Sequence, residues 1–440
     1  MRRVLRNHGC SAGDPRSEWE REVFSRAVFD TIDRQIAERK LDRDFVRRAV
    51  PLWVRALAGR GARHASDEFK METGADPPRV LAIAPTGACN LTCEGCYAGS
   101  EPGLASLSFG ELERLIADAV RSWGIRVVVF TGGEPFLYRS ESKGILDVIE
   151  RNPGLLFLVF TNGTLIDRAV AGRLASLGNV TVALSVEGLR ESTDARRGPG
   201  TFDKVVGALV ALEEAGAWHG ISMTATRHNC EELYSDELLD FFFDKHSPFY
   251  AFVFQYMPEG RDPDPSLMPT PEQRIWMWER SWEVIEKRRT VLFDFWNHVS
   301  LVGGCLAAGR ERGYLFVDWD GNVLPCVFAP YSACNVRDIY SRGGSLADVW
   351  AAPLLSEIRG WQRRRSASSG AAVCAGSGGT LMCACPVRDH FGDFMDIVAR
   401  TQASPVGSST GACLSMADLT SPMIEYGEDL ASLSREASGG

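Results

Sequence analysis

The chain has 440 residues and a mass of 48.3 kDa, and 45% of its residues are apolar, which is enough for one large domain with additions. Its 57 acidic and 48 basic residues give a formal net charge of −9, which argues against nucleic acid as the main partner. No apolar run approaches the roughly 18 residues of a membrane span, and the first residues lack the apolar stretch of a signal peptide. The composition therefore predicts a soluble, cytoplasmic protein without a membrane span.

Residues 1–78 predict a helical extension in front of the main domain. Apolar residues recur there at helical spacing, first around Phe24 and then around Phe45, which predicts two or three amphipathic helices. The stretch 59–78 is rich in glycine, alanine, aspartate and proline, a composition that is typical of a linker.

From Arg79 onward, short apolar runs alternate with segments of helical periodicity. The runs occupy residues 80–84, 127–130, 155–160, 180–184, 221–226 and 252–256. Each has the length of a buried parallel strand, and parallel strands need crossover connections such as the intervening helices. The series predicts an α/β fold, either an open doubly wound sheet or a partial barrel. In both cases, functional residues lie at the carboxyl ends of the strands.

Twelve cysteines in a chain without an export signal favour metal binding over disulfides, because the cytosol keeps thiols reduced. Three of them, Cys89, Cys93 and Cys96, are close together after the first predicted strand. Seven others lie in the last third of the chain: Cys305, Cys326, Cys334, Cys374, Cys383, Cys385 and Cys413. Cys10 and Cys230 stand alone and are predicted to be ordinary thiols.

Cys89, Cys93 and Cys96 can hold three corners of a cubane iron-sulfur cluster from one loop, which leaves the fourth iron without a protein ligand. The alternative is a zinc knuckle. Structural zinc needs four ligands, usually with a second close pair of cysteines, and no such pair follows nearby.

This cysteine spacing resembles that of the radical S-adenosylmethionine (SAM) superfamily, and further segments agree in order and position. Gly132-Gly133-Glu134-Pro135, after the second predicted strand, resembles the family's GGEP segment. Three other segments also match: Thr161-Asn162-Gly163 ends the third strand, Ser185-Val186-Glu187-Gly188 ends the fourth, and Arg196-Arg197-Gly198 resembles a segment of peptide-modifying members. Aspartate is commoner than glutamate at the position of Glu187. The resemblance covers about residues 79–290 and implies a partial (β/α)6 TIM-like barrel.

The resemblance implies that Cys89, Cys93 and Cys96 bind a [4Fe-4S] cluster whose open iron takes the amino and carboxylate groups of SAM. An electron donor such as a flavodoxin or ferredoxin would reduce the cluster, and SAM would then yield a 5′-deoxyadenosyl radical that abstracts hydrogen from the substrate. The residues implied to line the SAM pocket are Tyr97, Gly132, Gly133, Glu134, Pro135, Asn162, Ser185 and Glu187. For Tyr97, packing at the adenine and simply filling the loop remain open.

The C-terminal cysteines surround a predicted hairpin. Asp320 and Gly321 form a turn between two strand-like pieces, which would bring Cys305 and Cys326 toward one site. This part resembles the opening half of a SPASM domain, a cluster-carrying extension of many radical SAM maturases. The second half departs from that pattern, so we expect one auxiliary [4Fe-4S] cluster of the abbreviated "twitch" type.

The predicted ligands of this auxiliary cluster are Cys305, Cys326, Cys385 and Cys374, with Cys383 as an alternative ligand. Cys334 is predicted to be a bystander. A zinc-ribbon-like fold is the alternative interpretation of this region, since zinc accepts the same ligands. The acid–base candidates near these cysteines are Asp318, Asp320, Asp389 and His390, and no residue is assigned as catalytic.

The sequence thus predicts four parts: a helical extension (1–78), a radical SAM core (79–299), a small α+β auxiliary iron-sulfur domain (300–400) and a partly disordered tail (401–440). The predicted function is hydrogen abstraction from a peptide, as in maturases. Two alternatives are radical modification of a small metabolite or lipid, and a non-catalytic iron-sulfur electron carrier.

Overall fold

The computed structural model describes residues 15–38, 60–306, 310–368, 382–406 and 417–438, together with residues 47 and 52. Cys10, Cys374 and Cys413 lie outside these ranges, as does most of the predicted helix around Phe45. Within the described ranges, no helix is both long and apolar enough to cross a membrane.

Ten strands of the described chain form one sheet. They are β1 (Val80–Ile83), β2 (Val127–Phe130), β3 (Leu156–Thr161), β4 (Val180–Val186), β5 (His219–Ala225), β6 (Ala251–Gln255), β7 (Leu292–Asp294), β8 (Tyr314–Val317), β9 (Asn322–Leu324) and β10 (Cys334–Asn335). Their order in the sheet is β10-β9-β8-β1-β2-β3-β4-β5-β6-β7. All pairs from β8 to β7 are parallel, and the pairs β8-β9 and β9-β10 are antiparallel.

The helices surround this sheet. They are α1 (Pro15–Ala37), α2 (Arg60–Thr73), α3 (Phe109–Trp123), α4 (Ile145–Arg151), α5 (Arg168–Leu177), α6 (Arg190–Arg197), α7 (Thr201–Ala215), α8 (Asp236–Leu239), α9 (Pro271–Arg288), α10 (Val336–Ser341), α11 (Leu346–Trp350), α12 (Pro353–Ser368), α13 (Phe391–Thr401) and α14 (Ala417–Ser438). A π-helical segment, Asp240–His246, continues α8. The mixed α/β architecture with a mostly parallel sheet confirms the prediction of a partial TIM-like barrel with β/α units.

Local sequence signals explain where several helices begin and end. Ser108 caps α3 by accepting from the backbone N–H of Glu111, whose side chain accepts in turn from the backbone of Ser108, and Gly124 ends the helix at φ +68°. Thr270 and Gln273 form the same reciprocal pair at the start of α9, where Pro271 takes the first helical position.

The hairpin of β8 and β9 confirms the predicted strands around Gly321, which has φ +82°. It is nevertheless not a separate layer, because β8 pairs in parallel with β1, with Val80 opposite Tyr314. All four residues of β8 are buried, so both of its faces are covered, and the strand pairs with β1 on one edge and with β9 on the other. The C-terminal region therefore extends the core sheet.

Two segments differ from the sequence prediction. We expected a linker at 59–78, whereas residues 60–73 form α2, whose buried Phe69 packs edge-on against Trp123 of α3 with ring centroids 6.3 Å apart. We also expected a polar, partly disordered tail, whereas residues 417–438 form α14. Its apolar residues Met423 and Leu430 are fully buried, because their helical spacing places them on one face, and the helix packs against α9 and α13.

The two faces of the sheet carry different residues, as the alternation along β1 shows. Leu81 and Ile83 face the core beneath the helices, whereas Ala82 and Ala84 belong to a second buried cluster. That cluster contains aromatic rings such as Trp296 together with C-terminal cysteines. Small side chains on β1 leave room on this face, which is where the candidate site lies.

Replacing Met423 by alanine should lower the free energy of unfolding by about 2–5 kcal/mol, because a fully buried methionine leaves a cavity. The measurement is chemical denaturation followed by circular dichroism, with Glu425→Ala on the exposed side of α14 as the control. Equal stabilities of the two variants would contradict the docking of α14.

Candidate functional site

The loop after β1 presents Cys89, Cys93 and Cys96, and two arginines hold its carbonyl groups. Arg261 donates from Nη1 to the Cys93 oxygen at 2.9 Å and from its backbone N–H to the Cys96 oxygen at 3.0 Å. Arg196 donates from Nε to the Glu94 oxygen at 3.2 Å. The loop is therefore shaped by contacts to its backbone, which leaves the three thiols available as ligands.

Burial lowers the acidity of Cys89 and Cys93. The pKa of Cys89 is raised to about 11, mainly by burial, and the neighbouring Cys93 and Cys96 thiols act in the same direction. Burial also raises the pKa of Cys93, whereas Arg197 lowers it. Metal binding deprotonates such thiols, and a cationic side chain stabilises the resulting thiolates.

The predicted glycine pair lies directly against this loop. A Cβ on Gly133 would stand 2.2 Å from the Ala88 oxygen, and one on Gly132, which has φ +101°, would stand 2.5 Å from the Ala84 Cβ. The Gly133 N–H donates to the Thr86 oxygen at 3.0 Å. Only glycine permits this backbone approach, so the pair fixes the end of β2 to the cysteine loop.

Glu134 is buried and joins the ends of two strands. Its Oε1 accepts from the Phe136 N–H at 3.0 Å and from Thr161 Oγ1 at 2.8 Å, and its Oε2 accepts from the Asn162 N–H at 2.8 Å. Pro135 follows it at the start of a short 3₁₀ segment. Through these contacts Glu134 holds Asn162 in position. The contact of Glu134 with SAM stays a prediction.

Asn162 connects the third strand to the cysteine loop. Its Nδ2 lies 2.9 Å from Asn90 Oδ1 and 3.8 Å from Cys89 Sγ. Tyr97 makes the next connection, since its hydroxyl lies 2.6 Å from Thr131 Oγ1 and accepts from the Gly132 N–H at 3.4 Å.

Ser185 and Glu187 lie at the end of β4. Ser185 is in register with Ser222 of β5. Glu187 is buried and pairs with Arg197 and with Arg196, the latter at 2.8 Å. The structure thus places Glu187 in a charge pair beside Cys93, and the SAM contact implied for these two residues stays a prediction.

A second set of cysteines lines one cavity, formed by Cys305, Cys326 and Cys385 together with apolar and aromatic side chains. Cys326 Sγ accepts from the Tyr314 hydroxyl at 3.0 Å and Cys385 Sγ from the Arg388 N–H at 3.4 Å. A hydrogen bond with Cys305 lowers the pKa of Cys385. These three predicted ligands therefore come together.

The remaining C-terminal cysteines are placed differently. Cys383 Sγ lies 3.7 Å from Ser434 Oγ of α14, and Cys383 does not line the cavity in the part of the chain that the structure describes. Cys334 lies on β10 opposite Val323. Cys374 lies outside the described residues, so its ligation stays a prediction.

The acid–base candidates have structural partners. Asp389 pairs with the fully buried Arg274, and His390 Nε2 lies 2.8 Å from the Cys383 oxygen. Asp318 accepts from the Asp320 and Asn322 N–H groups in the hairpin, and burial raises its pKa to about 6. These contacts give Asp318, Asp389 and His390 a role in holding the fold together.

Comparison with known proteins agrees with this geometry. The radical SAM superfamily matches residues 83–232, and an iron-sulfur cluster-binding domain, SPASM, matches residues 305–376. The mycofactocin maturase MftC of Mycobacterium tuberculosis is 32% identical over 307 residues, covering 66% of this chain and 75% of MftC. The chain belongs to the radical SAM superfamily.

One further relative and one solved structure of similar fold add to this comparison. The AdoMet-dependent heme synthase of Methanosarcina barkeri is 27% identical over 291 residues, covering 59% of this chain and 80% of the synthase. The crystal structure of Streptococcus suis SuiB bound to the precursor peptide SuiA has a TM-score of 0.58 at 17% identity, covering 75% and 76% of the two chains, and shows the same fold.

The described residues fit the cofactors of a radical SAM enzyme with a SPASM domain, namely a [4Fe-4S] cluster, SAM and auxiliary iron-sulfur chemistry. The first cysteine loop offers three thiols, and the second site offers three more, of which Cys326 and Cys385 accept hydrogen bonds at their sulfurs. Among the described residues, no three Cys, His, Asp or Glu side chains are arranged to bind a single metal ion. A cubane cluster does not require such an arrangement, because each thiolate binds a different iron. When bound, the cluster supplies the electron that cleaves SAM to a hydrogen-abstracting radical.

Sequence reasoning missed several residues of this radical SAM site. Arg261 and Glu259 follow β6, and Phe328 follows Cys326, yet none was singled out. The first two could have been found from the rule that functional residues follow the carboxyl ends of parallel strands. The ring of Phe328 contacts Tyr97 across a large sequence separation that no local pattern reveals.

Replacing Glu134 by alanine should raise the dissociation constant for SAM by about tenfold or more. The reason is that the donors on Phe136, Thr161 and Asn162 lose their acceptor. Equilibrium dialysis of the cluster-loaded enzyme measures this change. Glu237→Ala, on the exposed surface of α8, is the control, and unchanged SAM binding in the Glu134 variant would contradict its role.

Cys383→Ser should retain the auxiliary iron, whereas Cys326→Ser should lose it, because Cys326 lines the cavity and Cys383, in the described part of the chain, does not. Both changes are made in a chain with Cys89, Cys93 and Cys96 replaced by alanine, reconstituted anaerobically. We expect about four irons per chain with Cys383→Ser. Retention of iron by the Cys326 variant, or its loss from the Cys383 variant, would reverse the ligand assignment.

Proposed function

We propose that this radical SAM enzyme modifies a peptide by hydrogen abstraction, as a maturase. The observation that carries the proposal is that the two cysteine sites meet on one face of the sheet. The ring centroids of Phe328 and of Tyr97, which belongs to the first cysteine loop, are 5.4 Å apart. The backbone N–H of Phe328 donates to Cys326 Sγ at 3.4 Å. A substrate between these sites would contact both the radical source and an electron acceptor.

The relatives support a peptide as the substrate. Mycofactocin maturase MftC aligns with 66% of this chain, and the alignment reaches 75% of MftC, so the likeness extends beyond a single motif. SuiB, whose structure contains a precursor peptide, supports the same substrate class through a shared fold.

Each proposed role belongs to particular residues of the chain. Cys89, Cys93 and Cys96 would hold the SAM cluster. The pocket for SAM would be lined by Tyr97, Gly132, Gly133, Glu134, Pro135, Asn162, Ser185 and Glu187. One auxiliary [4Fe-4S] cluster would be held by Cys305, Cys326, Cys385 and Cys374, within a domain of residues 300–400. A flavodoxin or ferredoxin in the cytoplasm would donate the electron.

A second candidate is radical modification of a small metabolite. The heme synthase relative favours it, since its alignment covers 80% of that enzyme. The two candidates share the chemistry at the first cysteine loop and differ in what occupies the space beside Phe328.

The first test is whether the cluster-loaded, reduced enzyme converts SAM to 5′-deoxyadenosine, measured by liquid chromatography under anaerobic conditions. We expect product from the natural chain and from Cys230→Ala, because Cys230 is a lone buried thiol. The chain with alanine at Cys89, Cys93 and Cys96 should form none. Absence of product from the natural chain would refute the radical chemistry.

The second test identifies the substrate class. The enzyme, loaded with clusters and SAM, is used to select binders from a display library of random short peptides. Enrichment over the same library passed across the cluster-free chain supports a peptide substrate. Failure to enrich any peptide, together with normal formation of 5′-deoxyadenosine, would favour the small metabolite.

A further inference from the structure

Glu259 is a buried carboxylate without a role in the contacts described so far. It lies just beyond β6 and is 6% exposed. Its Oε2 is buried and has no hydrogen-bond partner among the described residues. Burying a carboxylate without a donor is costly, so such a group needs an explanation.

The backbone around Glu259 is fixed to the cysteine loop. The Glu259 N–H donates to the Met257 oxygen at 2.8 Å. A Cβ on Gly260, which has φ +82°, would stand 2.2 Å from the Cys96 oxygen, and Arg261 is hydrogen-bonded to the same loop. The chain on either side therefore determines where the carboxylate lies.

Glu259 lies beside the first cysteine loop, since a Cβ on the adjacent Gly260 would also stand 2.4 Å from the Tyr97 oxygen. Tyr97 is in turn connected to the second cysteine site through Phe328, which contacts the Tyr97 ring and donates to Cys326 Sγ. A substrate lying against Tyr97 and Phe328 would therefore be next to Glu259.

Four other buried carboxylates of the described chain have donors. Glu134 accepts three hydrogen bonds, Glu187 pairs with two arginines, Asp389 pairs with Arg274, and Asp294 accepts from Gln255 at 3.1 Å. Glu259 differs, and burial alone raises its pKa well above the usual range. A buried carboxyl group without a hydrogen-bond partner is stabilised when a bound ligand supplies a hydrogen-bond donor.

We propose that Glu259 binds the peptide substrate by accepting a hydrogen bond from one of its N–H or O–H groups in the space between the two cysteine sites. This inference rests on the proposed peptide function. The rings of Tyr97 and Phe328 beside it would contact the apolar part of the same substrate residue. Glu259 is therefore a substrate-binding residue, distinct from those that hold SAM or the clusters.

The test compares cluster-loaded Glu259→Gln and Glu259→Met with Glu237→Gln, an exposed glutamate on α8. Peptides selected on the natural enzyme from the random library serve as probes. We expect them to bind Glu259→Met about tenfold or more weakly, because a buried donor loses its acceptor. Binding to Glu237→Gln should be unchanged. Equal binding to the natural enzyme and Glu259→Met would overturn the proposal.

Measurements of SAM affinity and iron content test whether Glu259 contacts SAM or a cluster instead of the peptide. Both quantities should be the same in the natural enzyme and in the two Glu259 variants. A tenfold weaker affinity for SAM would make Glu259 a SAM contact, and a loss of iron would make it a cluster ligand, and either outcome overturns the proposal.

Thermal unfolding of the enzyme without peptide tests the proposal even if the library yields no binder. Methionine fills the site without an unpaired polar group, so Glu259→Met should raise Tm by about 2 °C or more. A lower Tm would mean that the carboxylate has a structural partner and would overturn the inference. If the proposed peptide function is wrong, the library yields no enriched peptides although the Tm of Glu259→Met still rises.

Discussion

The site depends on a backbone contact that leaves no space for a side chain. The segment at Gly132 and Gly133 packs directly on the loop that carries the three clustered cysteines, at distances that a Cβ would violate. The arginines Arg196 and Arg261 then hold the carbonyl groups of that loop. Because all of these contacts involve the backbone, the thiols and the space in front of them remain free for cofactor and substrate.

This constraint explains why the sequence predicted the first site better than the second. Cys89, Cys93 and Cys96 lie in one loop, and the glycines that shape it follow the next strand, so both are visible as short local patterns. The six β/α units were also predictable, because buried parallel strands and amphipathic helices have distinct periodicities. The structure confirms β1 to β6 close to the predicted boundaries.

The second site assembles from distant parts of the chain, and no local pattern encodes its arrangement. Cys305, Cys326 and Cys385 meet in a cavity whose walls include Phe295 and Trp296, residues from the strand region before the cysteines. Which of Cys383 and Cys385 lines the cavity also depends on tertiary structure, because Cys383 lies instead beside Ser434 of α14. That helix was itself missed because its composition is small and polar, and only its buried face reveals that it is docked.

The pairing of β8 with β1 has a consequence for how the chain becomes a folded protein. Val80 and Tyr314 are neighbours in the sheet, although most of the core lies between them in the sequence. During synthesis, the outer edge of β1 has no partner until the hairpin has emerged, and closing so long a loop is slow. An unpaired, apolar edge strand is a template for aggregation. The hairpin of β8 and β9 therefore also closes the core sheet, and the core and the C-terminal region cannot be separated without exposing that edge.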